Sequence, residues 1–170
     1  MESSRFTQST LDIYAALRAK FLNVGVALQA NLKRTEADLR RILKLGGTVR
    51  LVTGAYREGP KIAFTHAADV KHNFGRLMRV LFESTLPFAL GTHDQLLIRD
   101  AANLAAANRG NVEFQMLMGI RDDLKLQLAK EGSRVAVYIP YGRKWLPYSM
   151  RRLRERKENI LLIVQSLFTR

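Results

Sequence analysis

Cysteine is absent from these 170 residues, which excludes disulfides and thiolate chemistry. Histidine is nearly as scarce. His66, His72 and His93 are the full set, and no two share a short ligand spacing such as HxxxH. A metal centre is therefore not expected. No apolar run approaches the roughly 20 residues that span a bilayer. The opening segment, residues 1–7, has no apolar stretch of the kind a secretory leader uses. A cytoplasmic location is the resulting expectation. No Pro/Gly/Ser-rich linker and no low-complexity tract divides the chain, so residues 1–170 are read as one domain.

What is present is a globular composition, 47% hydrophobic, with a formal net charge of +13. Such a charge raises nucleic acid or an acidic membrane surface as partners. The basic residues are nevertheless spread along most of the chain and gather only at Arg40-Arg41 and over residues 143–157. No basic block is interleaved with aromatics, and no helix-turn-helix, KH or RRM pattern occurs. Nucleic acid is not the expected partner. An acidic membrane surface is more plausible but unspecific.

Short apolar runs begin at Val24, Val49, Phe88, Val112 and Val135. Each has strand length and none strictly alternates, which predicts strands buried on both faces. Between them lie helical patterns: Thr10 to Phe21, a helix N-capped by Thr35 and stopped at Gly46-Gly47, Ala67 to Phe82, Asp94 to Asn108, and Ile120 to Lys130 before Gly132. Trp145 to Lys157 reads as a further helix, with Pro147 in its first turn. Ile160 to Phe168 is helix or strand. The order is one helix followed by five βα units, an α/β pattern that suits a parallel sheet.

The expected strand ends carry Gln29, Thr53-Gly54-Ala55-Tyr56, Thr92-His93-Asp94, Gln115 and Tyr138. In (β/α)8 barrels and open α/β sheets this rim is where ligands bind. Polar residues are also expected simply because the chain turns there. His93, taken alone, reads as a hydrogen-bonded histidine at a strand end. On a helix, Tyr148, Arg151, Arg152 and Glu155 share one stripe. Two rigid guanidinium forks on one face suit a planar carboxylate or a phosphate. A solvated basic helix face is the competing reading.

Val49-Arg-Leu-Val-Thr-Gly-Ala-Tyr56 resembles the proline dehydrogenase family. The likeness continues in order through Ala27-Leu-Gln-Ala30, Gly91-Thr-His-Asp94, Glu113-Phe-Gln-Met-Leu-Met-Gly119, Val137-Tyr-Ile-Pro-Tyr-Gly142 and Tyr148-Ser-Met-Arg-Arg152. It is nearest to the single-function bacterial type. The resemblance implies a distorted (β/α)8 barrel with FAD over its C-terminal rim. It implies oxidation of L-proline to 1-pyrroline-5-carboxylate, with hydride passing to flavin N5 and electrons then to a membrane quinone. A peripheral position at the inner face of the membrane would follow. By position, Arg151 and Arg152 correspond to the pair that grips the proline carboxylate, with Glu155 supporting them. Tyr138 corresponds to the aromatic packed on the proline ring, and Leu117 and Tyr148 to further pocket walls. Arg50 corresponds to the arginine near flavin N5. Gln29, Val52, Gly54, Ala55, Thr92, His93 and Gln115 correspond to other flavin contacts.

Two positions depart from the family pattern. Thr53 stands where lysine is usual, and Asn31 where an aromatic is common; both would alter the flavin rim. A whole barrel of this type needs roughly 250 residues. The resemblance therefore implies a partial barrel, with about five parallel strands, flanking helices and the first three strands missing. Two alternatives to catalysis stand beside this reading. One is a non-catalytic fragment or interaction module that needs a separate N-terminal piece. The other is an anion-binding protein that uses the arginine helix. Oligomeric state is left open.

Overall fold

The structure, a computed structural model, describes residues 3–56, 58–108 and 111–142. A short 3-10 turn, Ser4–Phe6, leads into α1 (Thr7–Arg18). Then follow β1 (Gly25–Gln29), α2 (Thr35–Lys44), β2 (Thr48–Val52), α3 (Ala67–Glu83), β3 (Phe88–Gly91), α4 (Gln95–Asn108), β4 (Val112–Leu117), α5 (Asp122–Lys130) and β5 (Arg134–Tyr138). The five strands form one sheet in sequence order, every pair parallel. This is the expected βα succession, and each strand starts within one residue of its predicted position.

Two local expectations are corrected. The first helix runs from Thr7 to Arg18, earlier at both ends than Thr10 to Phe21. Thr35 is not an N-cap: Arg34 precedes the helix, and the Thr35 hydroxyl donates to the Gln29 carbonyl at the end of β1. A threonine hydroxyl can accept from a backbone N–H, as an N-cap does, or donate to a carbonyl, and here it donates and ties α2 to the strand before it. Gly46 and Gly132 end α2 and α5 as expected, both at positive φ. The expected helix from Trp145 to Lys157 and the segment from Ile160 to Phe168 lie outside the described residues.

The two faces of the sheet differ: β3 is buried on both, as expected, but β4 alternates and β5 has no buried residue. One set of alternating residues joins the core: Val26, Leu28, Val49, Leu51, Phe88, Leu90, Val112, Phe114 and Met116. They pack against Leu39 and Ile42 of α2, Phe74 and Leu77 of α3, Ile98 of α4, and Leu124 and Leu128 of α5. Burying each such side chain favours folding by about 1.5–3 kcal/mol, so the helices are held to this outer face. The other set has a different chemistry. Register aligns Ala27, Arg50, Ala89, Glu113 and Arg134 in one row across all five strands. A second row holds Gln29, Val52 and Gly91, with Gln115 and Ala136 farther along. Among the described residues no helix is packed on this inner face. It is where small residues alternate with charged and amide side chains.

Candidate active site

The inner face is built around Arg50. Its neighbours in the row, Ala27 and Ala89, are small, and Gly91 follows on the adjacent strand. A Cβ on Gly91 would sit 3.2 Å from Arg50 Nη2 and 2.9 Å from Val52 Cγ1. The absence of a side chain there is what lets the guanidinium come this close to β3. Arg50 Nε is buried and has no hydrogen-bond partner. A buried donor without an acceptor costs about 1–3 kcal/mol, so an acceptor brought by a ligand would relieve it.

Amides and a carboxylate continue the polar surface. Gln115 Nε2 donates to Glu113 Oε1 at 2.7 Å, and Arg134 Nη2 reaches Glu113 Oε2 at 3.4 Å. Gln115 was expected at a strand end but lies within β4, which continues to Leu117. Gln29 closes β1 and is buried. Leu117 and Tyr138 are register partners at the tips of β4 and β5, and Met118 N–H donates to the Tyr138 carbonyl at 3.0 Å.

The rim loops are tied down by specific bonds. After β1, Asn31 donates from its backbone to Thr53 O and accepts from Phe64 N–H, and its Nδ2 donates to Tyr56 O. It thus holds the loop that carries Thr53, Gly54 and Ala55. Gly54 has φ +106°, and a Cβ there would fall 2.1 Å from Asn31 Oδ1. Only glycine fits. After β3, Asp94 caps α4 by accepting from Leu96 and Leu97 N–H, and it pairs with Lys71 at 2.6 Å. Burial pushes the Asp94 carboxyl up, but the Lys71 ammonium and these two N–H groups outweigh it and hold it below the ordinary carboxylate value. Thr92 is buried, and its hydroxyl accepts from Asp94 N–H. His93 Nε2 accepts from Leu117 N–H at 3.0 Å.

Of the expected site residues, Gln29, Arg50, Val52, Gly54, Ala55, Thr92, His93, Gln115, Leu117 and Tyr138 are brought together on the inner face or its C-terminal rim. Tyr148, Arg151, Arg152 and Glu155 lie outside the described residues. Expectations from sequence omit Glu113 and Lys125. Glu113 looks like an ordinary strand residue until register sets it between Ala89 and Arg134. Asn31, one of the two departures from the family pattern, anchors the rim loop. Among the described residues no group of acidic or histidine side chains could hold a metal ion.

A parallel sheet with helices on one face and a polar, arginine-bearing surface on the other is part of a (β/α)8-type barrel, a fold whose sites lie at the C-terminal strand tips. The chain belongs to the proline dehydrogenase family, whose sequence profile matches residues 1–161. It is 41% identical over 163 residues to proline dehydrogenase 2 of Bacillus subtilis (strain 168), covering 94% of this chain and 54% of that protein. It is 37% identical to the proline dehydrogenase of Deinococcus radiodurans, covering 98% of this chain and 56% of the relative. The chain thus spans about half the length of the curated relatives it matches. Among solved structures, proline utilization A from Bdellovibrio bacteriovorus, inactivated by N-propargylglycine, superposes with a TM-score of 0.82 at 25% identity. That match covers 90% of this chain and 19% of the other.

Proposed function

We propose that this chain provides the flavin-facing and carboxylate-binding part of a site that oxidises L-proline to 1-pyrroline-5-carboxylate. The observation that carries this reading is the buried, unpartnered Nε of Arg50 on a face kept open by Ala27, Ala89 and Gly91. A flat cofactor with acceptor atoms along its edge fits such a surface, and FAD is the cofactor the family implies. When bound, FAD would supply the oxidising power as an acceptor of hydride, one proton with two electrons, and a membrane quinone would take the electrons onward.

The chain's own residues hold and orient. Arg50 places a fixed positive charge where negative charge develops on reduction. Gln29, Val52, Thr92, His93 and Gln115 line the cofactor side, and Gly54-Ala55 let the rim backbone approach it. Arg151 and Arg152 grip the proline carboxylate, braced by Glu155. Tyr138, Tyr148 and Leu117 wall the ring. Fixing the carboxylate fixes the distance of the ring from the cofactor, which is catalysis by orientation. No helix among the described residues is long and apolar enough to cross a membrane.

The test is anaerobic addition of L-proline to the purified, FAD-reconstituted chain. Bleaching of the yellow flavin is expected. Arg151→Ala plus Arg152→Ala should keep the colour and lose the bleaching, and unchanged bleaching would refute the carboxylate assignment.

A second reading rests on β1, which among the described residues pairs only with β2 and so forms an edge of the described sheet. Beside it runs a groove lined by Phe6, Thr7, Leu11, Val26 and Leu28. On this reading the chain is inactive alone and gains activity with a further piece of barrel. A colourless preparation would favour it.

A further inference from the structure

Lys125 is a lysine on α5 whose side chain is only 7% exposed. Lysine is rarely buried unless its ammonium is paired. Here Nζ donates to the Leu117 carbonyl at 2.8 Å and pairs with Asp122 Oδ1. The turn between β4 and α5 makes this reach possible. Gly119 has φ +75° and Arg121 has φ +53°, an uncommon conformation for a residue with a Cβ. Two left-handed residues fold α5 back so that its second turn meets the tip of β4. The other polar group of the same residue is held from elsewhere, since Leu117 N–H donates to His93 Nε2 at 3.0 Å. Both backbone groups of Leu117 are therefore bonded to side chains, one from the β3 rim and one from α5. The residue so held is the register partner of Tyr138 at the strand tips.

We propose that Lys125 is a positioning residue that, with His93, clamps the Leu117 peptide and so fixes the pocket wall opposite Tyr138, selecting the ring size of the substrate. The inference rests on the functional reading above for the identity of the substrate. It goes beyond that reading by assigning a role to a side chain that touches neither substrate nor cofactor. A wall held only by strand pairing could shift along the sheet edge. A wall bonded at both its N–H and its C=O cannot move without breaking its bond to the His93 ring or to the buried Lys125 ammonium.

Two measurements on the full, FAD-reconstituted chain test it. The first is hydrogen exchange at the Leu117 amide. In Lys125→Met it is expected to be about tenfold faster than in the unsubstituted chain, since local opening sets the rate. The second is the calorimetric preference for L-proline over its six-membered homologue L-pipecolate. One methylene in an apolar pocket is worth about tenfold or more, and Lys125→Met should lose most of that preference while retaining its flavin. A merely structural role would lower stability without changing this ratio. Should Lys125→Met fail to fold, Asp122→Asn, altering an exposed partner, should move both readouts in the same direction by less. Unchanged Leu117 exchange would overturn the clamp, and faster exchange with unchanged ring preference would overturn its role in selection. If the unsubstituted chain binds no L-proline, the functional reading and the selection role fall together. The exchange rates alone then uphold or overturn the clamp.

Discussion

At the scale of single residues, the rim depends on a few side chains that satisfy backbone groups the sheet cannot reach. Asn73 is buried in α3, and its Nδ2 donates to the Ala30 carbonyl at 2.7 Å, just past the end of β1. Asn73→Leu would leave that carbonyl unbonded and should cost about 1–3 kcal/mol, read by urea unfolding. Asp94 gives a pH dependence whose sign is fixed by its environment. Its carboxyl titrates below the ordinary value in the folded chain. The stability it contributes is fully present above the unfolded value of about 3.9 and is lost as pH falls through the lowered folded value. Asp94→Ala should therefore cost about 1 kcal/mol at neutral pH and close to nothing at about pH 2. Parallel urea titrations at the two pH values check this. An equal cost at both would contradict the ion-pair and capping account.

At the scale of elements, glycine positions and apolar alternation decide different things. Gly54→Ala would force a Cβ into Asn31 Oδ1 at an unfavourable φ. About 2–3 kcal/mol of stability should be lost, with the loop around Thr53 and Ala55 loosened first. Faster amide exchange confined to residues 53–56 would be the sign. Phe114→Ala, on the outer face of β4 where the ring is fully buried, should cost about 3–5 kcal/mol. It should nevertheless leave ligand contacts on the inner face in place, so flavin retention well below the melting temperature is the measurement. Strand starts and most helix bounds were legible in the sequence because apolar runs and Gly stops are local. The two-faced character of the sheet was less so. Gly91, Ala89 and Ala27 look like ordinary buried strand residues in a line of sequence. Only register shows that they surround Arg50.

At the scale of the whole molecule, the same five strands divide the work. One face gives its apolar residues to the helices and supplies the core. The other carries Arg50, Gln29, Glu113 and Gln115. The rim residues were readable from order along the chain, because a parallel sheet brings every strand's C-terminal end to one side. The bonds that position the rim were not. Lys125 to Leu117 and Asn73 to Ala30 join residues whose sequence carries no motif for the contact. The central claim is that a flat cofactor lies across the inner face at the strand tips. Titrating FAD into the isotope-labelled chain and following backbone amide shifts tests it most directly. The account predicts shifts concentrated at Gln29, Arg50, residues 52–55, residues 91–93 and residues 115–117, with α1 and the outer helices unmoved. Shifts confined to the outer helices, or none at saturating FAD, would contradict it.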